Sequence, residues 1–232
     1  MISQKEFKEK IKQHELWLQT NEEKGSKLVL KNKEIGKFII RKANLAYSVI
    51  SNTIFNSSSF YDVNFYRATL QKNNFFDCTF NYSNFENASL SYSNFRDTSG
   101  LEVNFKDAIM HSCNFRNSDF LETNFQNADF KDSNLTGAYF RKSNFKNANL
   151  NFTKLSGVVL RGANLKEASL DFSSFPLWCG SFDFKGDKRL ATQLLYHFCR
   201  INFDDKEASL IQEKVKDFAN NFAEERSLKI LV

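Results

Sequence analysis

ANLAYSVISNTIFNSSSFYDVNFYRATL, residues 43–70, decides how this chain is read. Leu45, Ile50, Phe55, Phe60, Phe65 and Leu70 fall at every fifth position, and the spacing runs on to Phe175. The central residue is always Leu, Ile, Met or Phe, except at Gly100. Two residues before each stands a small side chain, from Ala43, Ser48, Thr53, Ser58 and Val63 to Ser173, and only Asn73 breaks that rule. A period of five fits neither a helix nor an alternating strand. Residues two apart do share one face of an extended segment, so each pentad reads as a short strand with two inward side chains, followed by a turn. So short a unit cannot bury its apolar face alone and must stack on copies of itself.

A longer period of twenty sorts the central residues into four columns. Leu45, Phe65, Phe85, Phe105, Phe125, Phe145 and Leu165 form the first, mostly Phe. The second, from Ile50 to Leu170, holds a single Phe at Phe130. The third starts at Phe55 and the fourth at Phe60. Asn precedes every member of the first column, from Asn44 to Asn164, and recurs in the third at Asn74, Asn94, Asn114 and Asn134. Stacked amides can bond in ladders, so these residues read either as a structural ladder or as a binding stripe. Phe105 and Phe125 should stack as inward neighbours on adjacent coils. At Gly100 either the column has a gap or Leu101 slips inward through a bulge, and the bulge avoids a Phe-sized void.

The units Ala43-Asn44-Leu45, Ala128-Asp129-Phe130, Ala148-Asn149-Leu150 and Ala163-Asn164-Leu165 resemble the pentapeptide repeat family, whose unit is roughly Ala-(Asp/Asn)-(Leu/Phe)-x-x. The resemblance implies an all-β solenoid, a right-handed quadrilateral β-helix. At about twenty residues per coil and ~4.8 Å per stacked strand, residues 26–175 would make a rod roughly 36 Å long. Some members of the family look like DNA and bind type II topoisomerases such as DNA gyrase, protecting them from quinolones.

The flanking segments read differently. Residues 1–25 should form a capping helix, with Ser3 and Glu6 as a capping box and Phe7, Ile11, His14 and Leu18 on one face. Trp17 should join the cover over the rod's open end; a partner-binding helix is the alternative. Lys24-Gly25-Ser26 marks the turn into the rod. Leu28 and Phe38, large where a small residue is expected, should fill the bottom of the tube. Pro176 ends the repeat, and residues 176–232 read as a helical cap and dimerisation segment, with a helix from Asp187 to Asn202 and another after Asp204. This segment, with Leu177-Trp178-Cys179-Gly180 and Leu195-Tyr196-His197-Phe198-Cys199, resembles the tails of some bacterial and phage-associated members of the family. The outward Phe152 and Phe172 suggest that it folds back over at least Phe172, leaving Phe218 and Phe222 to build a two-fold dimer.

Chemistry-bearing patterns are few. Cys78 and Cys113 sit at small inward positions and read as core fillers. Cys179, His197 and Cys199 lack paired zinc-ligand spacing, and His111 stands alone facing outward. Neither a catalytic triad nor a phosphate loop nor a dinucleotide fingerprint is legible, so no enzyme, cofactor or metal is expected. With 32 Lys plus Arg against 27 Asp plus Glu the net charge is +5, and the basic residues are dispersed, which argues against nucleic acid. Residues 61–140 carry 6 basic and 10 acidic residues, a mild acidity flanked by basic ends and poor material for a DNA mimic. No apolar run is long enough for a membrane span and the N-terminus lacks an apolar signal core, so a cytoplasmic chain is expected. The expected function is a non-enzymatic scaffold presenting flat faces to an unidentified protein partner; the topoisomerase-binding mimic is the alternative. The expected contact face is the fourth column's outward surface, an acidic stripe mixed with apolar residues: Tyr61, Asp62, Tyr82, Leu101, Glu102, Asp119, Leu121 and Glu122.

Overall fold

The computed structural model describes residues 2–171, 173, 184–187, 190–191, 194, 209–211 and 213–216. The elements are α1 (Gln4–Gln19), β1 (Val29–Lys31), β2 (Ile39–Arg41), β3 (Val49–Ser51), β4 (Ser59–Tyr61), β5 (Ser99–Leu101), β6 (Asp119–Leu121), β7 (Ala163–Asn164) and β8 (Phe184–Lys185). Pairing is parallel throughout and steps by one coil: Leu30 faces Ile50, Ile40 faces Phe60 and Gly100 faces Phe120. Between these strands single residue pairings carry the same register, such as Asn44 with Asn64, Val49 with Thr69, Ile54 with Asn74 and Ser59 with Thr79. They define four stacked ladders, one per side of the coil, here called sides one to four in that order.

From Ala43 to Leu170 every central residue, and every residue two before it, is buried. The corner falls two residues after the centre, where residues such as Arg67 (φ 52°), Asn87 (φ 60°) and Asn127 (φ 57°) adopt the left-handed conformation. That region favours Gly, Asn and Asp, which explains the polar corners and the glycines at 137 and 162. Main-chain bonds close each coil onto the next: Phe65 N–H donates to Asn84 O at 2.6 Å, and Asn84 N–H donates down to Val63 O at 2.9 Å.

Inside, the Phe rings stack at the strand spacing. Phe65–Phe85, Phe85–Phe105, Phe95–Phe115 and Phe125–Phe145 all have centroids 4.7 Å apart. Phe105 and Phe125 stack as the period requires, at 5.2 Å and 6°. Rings from neighbouring columns meet edge to face, as Phe80 does Phe85 at 5.3 Å. Each buried ring contributes ~1.5–3 kcal/mol by burial and each favourable ring pair ~0.5–1.5 kcal/mol more.

The inward hydroxyls complete the coil. Ser83 Oγ accepts from Val63 N–H (3.3 Å) and donates to Phe60 O (3.3 Å); Ser133 does the same with Cys113 N–H (3.0 Å) and Met110 O (2.7 Å). Asn73, the exception to the small-residue rule, plays this part with an amide: it accepts from Thr53 N–H (2.9 Å) and donates to Ile50 O (2.8 Å). A longer side chain is admitted there because both its polar ends are bonded.

The bulge expected at Gly100 does not form. Leu101 pairs in register with Leu121, facing outward, and Gly100 keeps the inward position. The space is filled by Val103 and, from above, by Phe120, because a Cβ on Gly100 would lie 2.6 Å from Val103 Cγ2 and 2.8 Å from two ring atoms of Phe120. Phe120 has settled toward the glycine, leaving 6.4 Å to Phe140 where Phe60 and Phe80 are 4.8 Å apart.

At the lower end α1 covers the tube. Ser3 caps it, accepting from Glu6 N–H at 3.1 Å, and Phe7 stacks on Phe38 at 5.8 Å. Leu28 and Phe38 are buried in the first coil, as their size anticipates. Gly25 turns with φ 77°, and a Cβ there would collide with the Gln13 carbonyl. At the upper end the ladder runs beyond residue 175: Ala163 and Asn164 pair with Phe184 and Lys185. Leu190 joins the continuous core and Leu194 packs against it, while 209–211 and 213–216 are helical. Phe172 and Pro176 lie outside the described residues; Phe152 is 48% exposed, with Lys131 Nζ 5.8 Å above its ring.

Candidate interaction surface

The step of twenty brings all eight expected contact residues onto side four. Tyr61 and Tyr82 meet edge to face at 5.3 Å, and Arg41 lies over the Tyr61 ring at 5.3 Å. Tyr82 N–H donates to Leu101 O, and Leu101 and Leu121 are direct ladder partners. Tyr61 and Tyr82 are exposed and the two leucines are half-buried. The sequence reading missed Ile39 and Tyr139 on the same side, both exposed. They occupy the position just before the centre, where the Asn pattern of the other columns drew attention instead.

The stripe is less acidic than expected. Arg141 donates to both Asp119 carboxylate oxygens, at 3.0 and 3.3 Å, and Lys142 pairs with Glu122 at 2.9 Å. Such exposed pairs contribute ~0–1 kcal/mol to stability, yet they offset the local charge. Arg41 and Lys42 stand below the stripe and Arg161 above it. Side four is therefore an apolar run whose acidic middle is bracketed by cations.

The Asn residues form two ladders. On side one, Nδ2 of each Asn from Asn64 to Asn164 donates to Oδ1 of the Asn one coil below, at 3.0–3.3 Å. On side three, Asn94 and Asn114 do so at 2.8 and 3.1 Å. Each Oδ1 also takes a main-chain N–H two residues on, as Asn64 does from Tyr66 at 3.0 Å. Below the top member of each ladder both acceptor sites are then used within the rod, which favours the structural ladder over a binding stripe.

Reactive side chains are either buried or tied. Burial pushes the Cys78 and Cys113 thiols up to about 12, and they donate to Phe55 O and Leu90 O. His111 does not stand alone: its Nε2 lies 2.6 Å from Asp129 Oδ2, while Oδ1 of that carboxylate takes the Asn149 amide at 2.8 Å. Among the described residues no three His, Cys, Asp or Glu side chains gather as metal ligands, and no helix is long and apolar enough to cross a membrane. Cys179, His197, Cys199, Phe218 and Phe222 lie outside the described residues.

A family model of pentapeptide repeats, eight copies long, matches residues 74–99, and one of the pentapeptide repeat region matches residues 108–177. Residues 74–99 and 108–177 of the chain are pentapeptide repeats. Similar solved structures include HetL, a pentapeptide repeat protein involved in heterocyst differentiation regulation from the cyanobacterium Nostoc sp. strain PCC 7120. It is 17% identical over 68% of this chain and 86% of that one, with a TM-score of 0.49. A second is QnrB1, a plasmid-mediated fluoroquinolone resistance protein, 18% identical over 74% and 97%, TM-score 0.30. A third is a pentapeptide repeat protein from the Arabidopsis thaliana thylakoid lumen, 23% identical over 47% and 72%, TM-score 0.36. No curated protein matches the chain.

Proposed function

We propose that this protein is a cytoplasmic, non-enzymatic scaffold that binds a protein partner through side four of a right-handed, square-sectioned coil closed by helices at both ends. The supporting observation is the apolar run Tyr61–Tyr82–Leu101–Leu121–Tyr139, surface of the kind that soluble monomers keep small and interfaces use. Four of its strands, β2, β4, β5 and β6, lie on this side, giving it a flat backbone. Glu102 and Glu122 flank the leucine pair. Replacing both by Lys should weaken partner capture several-fold with the thermal melt unchanged, Glu102 contributing more because Glu122 already faces Lys142. Undiminished capture by the double variant would dismiss the face.

The topoisomerase-binding mimic is the weaker reading, because it needs an unbroken negative stripe. Arg41, Lys42, Arg141, Lys142 and Arg161 interrupt side four. We further propose a homodimer through the C-terminal helices; the exposed Leu210 and Ile211 offer apolar surface for it, beside the expected Phe218 and Phe222. Sedimentation as a monomer at micromolar concentration would exclude the dimer.

A further inference from the structure

The lowest coil presents four strand edges, and the chain closes two of them itself. On side one, Glu15 Oε1 accepts the downward Asn44 N–H at 2.9 Å. On side two, His14 Nδ1 takes the inward Leu28 N–H at 3.0 Å, but Val29 N–H, the equivalent of Val49 N–H one coil up, has no hydrogen-bond partner among the described residues. On side three, Ile2 adds as a further strand, pairing with Ile35 and donating to Glu34 O at 3.0 Å. Side four is open too. One coil up, Ser59 N–H donates down to Phe38 O; the equivalent group in β2 is Ile39 N–H, which has no hydrogen-bond partner among the described residues. Ile39 is 58% exposed, so this edge is open to water.

A cleft of about 240 Å³ lies between that edge and α1. Its apolar wall includes Phe7, Ile11 and Phe38, and its polar lining includes Lys8, Lys12, Arg41 and Lys42. Among the described residues none of these four cations has a carboxylate within ion-pair distance. Glu15, the one acid in the lining, is committed to the Asn44 main chain. The volume is below the ~300–1,000 Å³ of small-molecule sites and suits a single large side chain. An open strand edge, one apolar socket and a group of cations without carboxylate partners are the parts used when an extended peptide adds to a sheet.

We propose that the open edge of β2 binds an extended acidic segment of a partner protein by strand addition. The segment's main chain accepts the Ile39 N–H and donates an N–H of its own to the Ile39 carbonyl, one large apolar side chain enters the cleft, and flanking carboxylates face Lys8, Lys12, Arg41 and Lys42. The site lies below the acidic middle of side four and takes the opposite charge, so it stands whether or not side four is a contact face.

The test uses the full chain and labelled ten-residue peptides followed by fluorescence polarisation. One peptide carries Asp and Glu around a central Phe. The second replaces the acids by Lys, and the third keeps the acids but is N-methylated along its backbone. The expected result is saturable binding of the first alone, weakened at least tenfold by Lys8→Glu with Lys12→Glu, weakened by salt, and untouched by Glu102→Lys. Both lysines are exposed on α1, so the melt should hold. Equal binding of the Lys peptide, or no saturable binding, overturns the proposal. Equal binding of the N-methylated peptide, or its displacement by decanoate, also overturns it, making the cleft a simple pocket for anionic amphiphiles.

Discussion

At the scale of single residues, the rod tolerates a departure only where the coil above or below makes it good. Gly100 shows this through packing and Asn73 through hydrogen bonds. Val103 and Phe120 together occupy the volume a side chain at 100 would take. Gly100→Ala should therefore destabilise the protein by about 1–3 kcal/mol, although every other central position holds a larger side chain. Chemical denaturation measures this, and an unchanged or raised midpoint would mean that Val103 and Phe120 are free to give way. The direction of this substitution was not legible in the sequence. The pentad marks 100 as an inward position, but which neighbour fills it depends on a ring shifting along the rod axis.

At the scale of elements, the join between α1 and the first coil depends on one imidazole. His14 is fully buried, Nδ1 accepts Leu28 N–H, and Nε2–H donates to Ala46 O at 3.0 Å. A main-chain N–H can only donate, so Nδ1 carries no proton and the ring is neutral. By accepting the N–H that a serine of the coil above takes elsewhere, His14 leaves Ser48 Oγ without a partner. Burial holds the His14 pKa below its ordinary 6.5, outweighing the bond to Ala46 that raises it; Lys27 lowers it further and Glu15 opposes. The unfolded chain then binds the proton more readily, so this contribution to stability is full above about 6.5 and is lost as pH falls below it. The advantage of wild type over His14→Gln in unfolding free energy should shrink between pH 7 and pH 5. A constant difference would mean that the ring is not held neutral. The helical spacing of Phe7, Ile11 and His14 put this residue on the inner face from sequence alone. Its two partners were hidden because they lie 14 and 32 residues away, outside the twenty-residue step.

At the scale of the whole molecule, the step of twenty made the shape and much of the surface readable. It assembled side four correctly and would have paired Glu122 with Lys142 had the columns been read for charge as well as for apolar residues. The upper end was less readable, because β8 joins β7 with a step of twenty-one. The proposed function rests on side four differing from its neighbours. The most direct measurement is site-specific photo-crosslinking in living cells of the source organism. A benzophenone side chain would replace Tyr82 on side four or Tyr92 on side two; the two are 40% and 62% exposed. The account predicts a discrete crosslinked protein from position 82 and none from the more exposed position 92. Equal capture from both, or capture from 92 alone, would contradict it.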